Sequence, residues 1–196
     1  MDVTYDMSYY KTLRKKLKDI LSKSRFEHTL GVEFTAASLA MRYECNIDDA
    51  RIAGLLHDCA KCTDDSEKLS ECKKYNIEIT PVEKKCLYLL HSKLGAYYAK
   101  TIYGIEKEEI INAIKYHTTG RPNMTLLEKI IFVADYFEPA RNKAPRLQEI
   151  RKEAFIDIDS CVLMILSDTI NYLKDSSSII DETTYDTYNY YKLQKD

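Results

Sequence analysis

The stretch TLLEKIIFVADYFEP, residues 125–139, decides the fold predicted for this chain. Thr125 and Glu128 have the spacing of a capping box, in which two side chains satisfy free backbone N–H groups at a helix start. The apolar residues that follow have helical length, and Pro139 ends the helix because proline lacks a backbone N–H and clashes with the preceding turn. Asp135 stands in the middle of the apolar run. The stretch therefore predicts a core helix that carries one carboxylate.

Helix-start signals recur along the chain. Ser24 and Glu27 have capping-box spacing before an apolar-periodic stretch, and Thr80 and Glu83 have it again, with proline at the first helical position between them. Five glycines and four prolines in 196 residues are few for the turns of a sandwich or barrel. No stretch alternates apolar and polar residues over strand length. The sequence predicts an all-α fold.

The organisation expected is one domain over residues 1–196, with a core at about 10–175. The apolar fraction of 45% is ordinary for a globular chain, and no linker composition divides it. Residues 176–196 are rich in serine and tyrosine, with tyrosines at 185, 188, 190 and 191. So many tyrosines predict that this tail packs on the body, on or near the functional site.

Charge and cysteine usage exclude several classes of function. A formal charge of −2 argues against binding a nucleic acid polymer, which favours a basic excess. No apolar run approaches the ~20 residues that cross a bilayer, and the charged N-terminus lacks the apolar region of a signal peptide. Six cysteines at irregular spacing are typical of reduced, buried thiols. We expect a cytoplasmic protein without membrane contact.

The stretch LLHDCAKC, residues 55–62, holds two candidate chemistries: a His-Asp pair and a Cys-x-x-Cys pair. A redox Cys-x-x-Cys is expected near a βαβ pattern, and this chain has no strand signal. A zinc ribbon needs a second cysteine pair at similar spacing, and the sequence has none. The chemistry is therefore assigned to His57 and Asp58.

The histidines and two aspartates form an ordered set: His28 lies one turn into a predicted helix, and His57, His91 and His117 each end one. Taken alone, each histidine is more often a hydrogen-bonded core residue than a ligand. Asp135 is the informative member, because a carboxylate among apolar residues must be paired or bind a metal, and its own helix offers no basic residue one turn earlier. Imidazole and carboxylate together suit a first-row divalent ion. The set is His28, His57, Asp58, His91, His117 and Asp135.

Four motifs resemble those of the YqeK-type family of HD-domain phosphohydrolases, the symmetrical bis(5'-nucleosyl)-tetraphosphatases. They are RFEHTLGV, AGLLHDCAK, HSKLGA and AIKYHTTGRPNMTLLEKIIFVADYFEPAR, and the resemblance covers roughly residues 10–190. Ser92 departs from the glycine that is usual in the family after the histidine at the position of His91. Cys59 matches an apolar position of the family, so the resemblance implies that it is a core residue. The resemblance implies an HD-domain helical bundle that cleaves diadenosine tetraphosphate symmetrically to two ADP.

The resemblance also implies the metal site. The ligands would be His28, His57, Asp58 and Asp135, and the expected metal is iron, with manganese or another first-row metal left open. One ion is favoured and two remain open, since His91 and His117 match family histidines that either contact the substrate phosphates or complete a second site.

By the same resemblance, water activated by the ion attacks the phosphorus second from one adenosine, and the small nucleotide is the partner of the site. Asp58 would hold the metal and orient the water, while His91 or His117 protonates the leaving oxygen. Further substrate contacts are expected from Arg25, which shares a helical face with His28, and from four others. These are Lys61, Thr118, Arg141 and Thr184.

Other functions stay open at the level of sequence. A related HD phosphohydrolase would act on a deoxynucleoside triphosphate, a cyclic dinucleotide or an alarmone. A non-catalytic regulatory module would bind a nucleotide without turnover, and a homodimer is open for each case. A thiol oxidoreductase at the Cys-x-x-Cys pair is disfavoured by the missing βαβ pattern.

Overall fold

The computed structural model describes residues 5–195, which form eleven α-helices, one short 3₁₀ helix and no strand. This confirms the all-α prediction; residues 1–4 and 196 of the predicted domain lie outside the described part. The helices are α1 Met7–Ile20, α2 Lys23–Arg42, α3 Ile47–Leu56, α4 Asp65–Lys74, α5 Pro81–Lys85, 3₁₀ Leu87–Leu89, α6 Leu90–Thr101, α7 Glu108–Tyr116, α8 Leu126–Phe137, α9 Leu147–Glu153, α10 Ile158–Asp175 and α11 Glu182–Leu193.

Helix α8 lies at the centre of the main core, where it packs against α2, α3, α7 and α10. Its buried side chains include Ile130, Ile131 and Val133, which join Leu56 of α3 and Ile114 of α7 in one hydrophobic cluster. Burying one such side chain stabilises the fold by roughly 1.5–3 kcal/mol. Because these helices share a core, their ends that carry the candidate residues are held together.

Two of the three predicted capping boxes are confirmed. Thr125 accepts a hydrogen bond from the N–H of Glu128, whose carboxylate accepts one from the N–H of Thr125. Thr80 and Glu83 make the same reciprocal pair at the start of α5. In both places the local sequence pattern determines where the helix begins.

The third predicted box, at Ser24, is wrong by two residues. Helix α2 begins at Lys23, and Ser22 is its cap, accepting from the N–H of Arg25 at 3.3 Å. Ser22 has the extended backbone that a cap requires, and it directly follows Leu21, the C-cap of α1. The turn between two packed helices, and not the Ser-x-x-Glu spacing, determines this start.

The helix predicted to end at His91 is also corrected. Helix α5 ends at Lys85, the chain bends at Cys86 and a 3₁₀ turn follows, so His91 lies in the first turn of α6. The bend lets Leu89 and Leu90 be buried, and Leu90 packs in a second, smaller cluster against α4. Burial of these leucines therefore outweighs continuation of the helix.

The tyrosine-rich tail forms α11 and packs beside the segment that follows α7. Tyr191 is only 2% exposed, and its hydroxyl accepts from the N–H of Met124 at 3.1 Å. The hydroxyl of Tyr190 donates to Asn123 Oδ1 at 3.2 Å. Thr187 is buried against Gly120, where an added Cβ would lie 2.8 Å from its methyl group.

None of the helices within residues 5–195 combines the length and apolar character needed to cross a membrane.

Replacing Tyr191 by alanine tests the packing of the tail. We expect the free energy of unfolding, measured by urea titration, to fall by about 3–5 kcal/mol, as for large aromatic core residues. The matched control on the same helix is Leu193→Ala, because Leu193 is 75% exposed and a surface change costs about 0.5 kcal/mol or less. Equal losses in both variants would contradict the packing described here.

Candidate metal centre

Three of the four histidines are oriented by the backbone of their own helical turn. His57 and His117 are the residues that follow the last turns of α3 and α7. The Nδ1 atoms of His57, His91 and His117 each lie against the carbonyl oxygen three residues earlier, at 2.7, 2.5 and 2.7 Å. A carbonyl can only accept, so Nδ1 carries a proton, and in the neutral imidazole Nε2 presents a lone pair.

His28 reaches the same state by a different contact. It lies in the second turn of α2, and its Nδ1 is 3.0 Å from Oε1 of the buried Glu138 carboxylate. An ionised carboxylate also only accepts, so Nε2 of His28 is again the atom with the free lone pair. All four imidazoles therefore offer Nε2 to the interior of the site, as metal-ligating histidines do.

Two aspartate oxygens complete a first group of ligand atoms. Asp58 Oδ2 lies 3.4 Å from His57 Nε2 and 3.8 Å from His28 Nε2. Asp135 Oδ1 lies 3.0 Å from His28 Nε2 and 3.7 Å from His57 Nε2. Bonds of about 2.0–2.2 Å to one ion put neighbouring ligand atoms ~3–3.6 Å apart, close to these separations.

The buried nitrogens of this group fit a metal better than a hydrogen-bond network. Within residues 5–195, Nε2 of His28 and Nε2 of His57 are buried without a hydrogen bond of good geometry. Buried polar atoms are seldom left so, and a cation among two lone pairs and two carboxylates would satisfy them. The donor set of nitrogen and oxygen suits a first-row divalent ion.

A second group lies on the other side of Asp58. Its Oδ1 is 3.2 Å from His91 Nε2 and 3.7 Å from His117 Nε2. The two Nε2 atoms are 3.1 Å apart, and the Lys61 ammonium and the Thr118 hydroxyl each lie 3.2 Å from one of them, so both nitrogens face a place that suits positive charge. Asp58 thus turns one oxygen to each of two adjoining ligand groups, both of which could hold an ion.

Burial and the contacts between carboxylates and imidazoles shift the pKa values of the candidate ligands. Burial would raise the pKa of Asp58 and of Asp135, but the neighbouring histidines lower it by more. Both pKa values therefore lie below the usual range of an aspartate. Burial lowers the pKa of His91 to about 4, which keeps this imidazole neutral. Metal ligands of these types must be deprotonated, and Asp58, Asp135 and His91 meet this condition. Burial would lower the pKa of His57, but the carboxylates of Asp58 and Asp135 raise it, so an ion bound there would displace a proton from this imidazole.

Asp135 is less buried than the sequence predicts. Its side chain is 23% exposed because it faces a cavity at the end of α8, while its helix neighbours face the core. The expectation that its partners come from outside its own helix is met by His28 and by Arg141, whose Nη2 lies 3.0 Å from Asp135 Oδ1.

The cavity has a volume of about 560 Å³, within the range of small-molecule sites. His28, His117 and Asp135 lie in one part of its wall. The other lining includes three cationic side chains and an apolar surface. These are Arg25, Arg141 and Lys143, then Phe132, Tyr136 and Ile165. Positive charge beside an aromatic wall suits an anionic ligand with a flat ring.

Four of the predicted substrate residues line this cavity: His117, described above, and three others. Arg25 donates from Nη1 to Asp58 Oδ2 at 2.7 Å, and Arg141 is held by Asp135. Thr118 has its hydroxyl 3.2 Å from His117 Nε2. Each therefore lies directly beside a candidate ligand.

Lys61 and Thr184 do not line the cavity. Lys61 Nζ lies 3.2 Å from His91 Nε2, and burial lowers the pKa of Lys61. Thr184 is buried on α11. Their contacts with substrate stay predictions.

Sequence reasoning missed Glu138 and Lys143. The signal for Glu138 is its place before Pro139, since a residue preceding proline is held extended and cannot continue the helix. Its carboxylate therefore turns back from the end of α8 toward α2. The sequence around Lys143 carries no indication of a role in the site, apart from its position two residues after Arg141.

The Cys-x-x-Cys pair takes no part in the site. Cys59 is buried, its Sγ lies 3.6 Å from the carbonyl oxygen of Gly95, and burial raises the pKa of its thiol. Cys62 is exposed, and neither cysteine forms a disulfide. This agrees with Cys59 as a core residue and leaves the chemistry to His57 and Asp58.

Several known proteins are similar to this chain in sequence or in fold over nearly its whole length. "Bis(5'-nucleosyl)-tetraphosphatase, symmetrical" of Halalkalibacterium halodurans is 38% identical over 182 residues, covering 91% of this chain and 95% of that protein. The protein of that name from Bacillus subtilis is 36% identical over 181 residues, covering 89% and 92%. A crystal structure from Clostridium acetobutylicum, described as a "predicted HD superfamily hydrolase involved in NAD metabolism", has a TM-score of 0.92 at 38% identity, covering 98% of this chain and 100% of that one.

The HD domain family matches residues 25–140. That range includes all four histidines and both aspartates of the candidate metal centre. The chain belongs to the HD domain family, in the group that contains the symmetrical bis(5'-nucleosyl)-tetraphosphatases.

Proposed function

We propose that this protein hydrolyses diadenosine tetraphosphate symmetrically to two ADP with the help of a divalent metal ion. The observation that carries the proposal is that the imidazoles of His28 and His57 and the carboxylate of Asp58 converge on one place. Asp135 lies beside them in the wall of a cavity lined by cationic side chains. The names of the relatives above supply the substrate and the symmetry of cleavage.

The proposed ligands of the ion are His28, His57, Asp58 and Asp135, and the proposed metal is iron. Nitrogen and oxygen donors at these separations suit iron or manganese. A divalent ion bound there supplies an acidified water near neutral pH and polarises a phosphoryl oxygen.

Arg25 and Arg141 would bind the phosphate chain. Both guanidinium groups lie at the cavity beside ligand carboxylates, and guanidinium binds phosphate oxygens in bidentate fashion. Thr118 adds a hydroxyl on the same side. These groups would orient the two central phosphates and neutralise the charge that accumulates on them during transfer.

In the proposed reaction, a water oxygen bonds to the phosphorus second from one adenosine. The bond from that phosphorus to the central bridging oxygen breaks, and both halves leave as ADP. The sequence assigns protonation of the leaving oxygen to His91 or His117, but their Nε2 atoms carry lone pairs and not protons. A leaving diphosphate whose last pKa is ~6 needs little protonation, so we propose no proton donor among the histidines.

We further propose a second ion between Asp58 Oδ1, His91 and His117. The sequence favours substrate contact for both histidines, but His91 is fully buried and does not line the cavity. The close approach of the two Nε2 atoms supports the dinuclear alternative.

Metal content tests this second position. We expect about two Mn²⁺ per chain in the wild type and about one in the His91→Ala variant, measured by elemental analysis after loading and desalting. One ion per chain in both proteins would return His91 to the role of substrate contact.

Product analysis tests the proposed reaction. The manganese- or iron-loaded wild type should yield ADP as the sole nucleotide product from diadenosine tetraphosphate. Asp58→Asn keeps the shape of the side chain and removes the carboxylate shared by both ligand groups. Activity should therefore fall by more than ~100-fold, which is more than the loss typical when a residue that only hydrogen-bonds to a metal ligand is replaced.

Other products identify other functions. AMP with ATP would move the attack to a different phosphorus. Binding of the nucleotide without turnover would identify a regulatory module instead of an enzyme.

We also propose a cytoplasmic location, supported by six unpaired cysteines. A homodimer, and the absence of nucleic acid or membrane partners, stay predictions from the sequence.

A further inference from the structure

Glu138 is a buried carboxylate that the proposed reaction does not use. It is 2% exposed; Oε1 lies 3.0 Å from His28 Nδ1, and Oε2 accepts from the N–H of Ala140 at 2.7 Å. Within residues 5–195, His28 is its only basic partner closer than 4.0 Å. A buried carboxylate without a Lys or Arg partner is costly, so its retention here calls for a positive charge nearby.

The backbone holds Glu138 in place. Pro139 prevents α8 from continuing, and Glu138 is extended at φ −43° and ψ 156°. The guanidinium of Arg151 donates to the carbonyl oxygens of Phe137 and Glu138 at 3.0 and 3.1 Å. The carboxylate is therefore fixed against α2.

Gly31 of α2 makes room for this carboxylate. A Cβ at Gly31 would lie 2.4 Å from Glu138 Oε2, closer than any ordinary contact. Gly31 follows His28 by three residues, so both face Glu138 from the same side of the helix. The glycine costs about 1 kcal/mol of helix stability relative to alanine, and the contact gives a reason for it.

Glu138 differs from the acceptors of the other three histidines, which are neutral backbone carbonyls. A carboxylate makes a stronger, charge-assisted hydrogen bond and raises the basicity of the imidazole it holds. His28 is thus the candidate ligand whose donor strength depends on a replaceable side chain.

We propose that Glu138 is a positioning residue of the metal centre: it holds His28 with Nε2 free and balances the charge of an ion bound there. The inference rests on the proposed metal site. The same carboxylate also supports the ligand on the other helix. Oε2 holds the turn at Ala140, and the next residue, Arg141, reaches Asp135.

Glutamine has the same shape as glutamate, but its side chain can accept a hydrogen bond at only one of the two contacts, because its other end is a donor. If its amide oxygen accepts from Ala140 N–H, its NH₂ group faces His28 Nδ1 and donates to it. His28 must then carry its proton on Nε2, 3.0 Å from Asp135 Oδ1, where it blocks metal binding. This arrangement satisfies every group of the metal-free protein, so Glu138→Gln should fold at least as stably without metal.

Calorimetric titration of the metal-free full chain with Mn²⁺ alone tests the proposal. We expect Glu138→Gln to weaken the Kd for Mn²⁺ at the His28 site by about 10- to 100-fold. We also expect the rise in Tm on adding Mn²⁺ to shrink, while the Tm of the metal-free variant does not fall. The matched control is Glu128→Gln, a buried carboxylate at the other end of α8 that contacts Arg121 and no histidine; its Mn²⁺ affinity should equal that of the wild type.

Gly31→Ala tests the same contact without removing a charge. The added methyl group should displace the Glu138 carboxylate and weaken Mn²⁺ binding to a similar extent. In the Glu138→Gln background it should add little further loss, because both changes act through one hydrogen bond.

The outcomes separate this inference from the metal site itself. Unchanged Mn²⁺ affinity in Glu138→Gln, or an equal loss in Glu128→Gln, would overturn the role of Glu138 while leaving the site intact. A wild type that binds no Mn²⁺ would overturn the site and the inference together.

Discussion

The candidate site depends on one constraint: each of the four imidazoles has an acceptor at Nδ1, so each must present Nε2. For three of them the acceptor is the carbonyl oxygen three residues earlier, and for His28 it is a carboxylate. Carbonyls at a helix end lack partners within the helix, so a histidine there is oriented at little cost. Without these acceptors the rings could rotate or change tautomer, and no ligand set would form.

The core brings these histidines together. Helices α2, α3, α7 and α8 pack on one another, and the residues that end α3 and α7 face the side where Asp135 leaves α8. Apolar periodicity predicts such helices, and the ends at His57 and His117 agree with the sequence analysis. The set of candidate ligands could therefore be named from sequence, although its grouping around Asp58 could not.

What the sequence could not predict depends on contacts between distant segments. The cap at Ser22 follows from the turn after α1, and the break before His91 follows from burial of Leu89 and Leu90 against α4. The partner of His28 is 110 residues away, and only the folded chain brings Glu138 to it. Local patterns carry no signal for such pairs.

Charge balance links the metal centre to the cavity. Asp58 is paired with Arg25 and Asp135 with Arg141, and both guanidinium groups lie where the cavity meets the candidate ligands. Guanidinium groups in these positions hold the carboxylates in place, and their remaining N–H donors could bind phosphate oxygens. The arrangement would suit a site that binds both the proposed cation and the proposed polyanionic substrate.

We propose that one ion lies among His28, His57, Asp58 and Asp135. Anomalous diffraction from a crystal grown with Mn²⁺ tests it most directly. We expect a peak about 2.0–2.3 Å from Nε2 of both histidines and from one oxygen of each aspartate. A strong peak elsewhere, with these atoms hydrogen-bonded to one another, would contradict it.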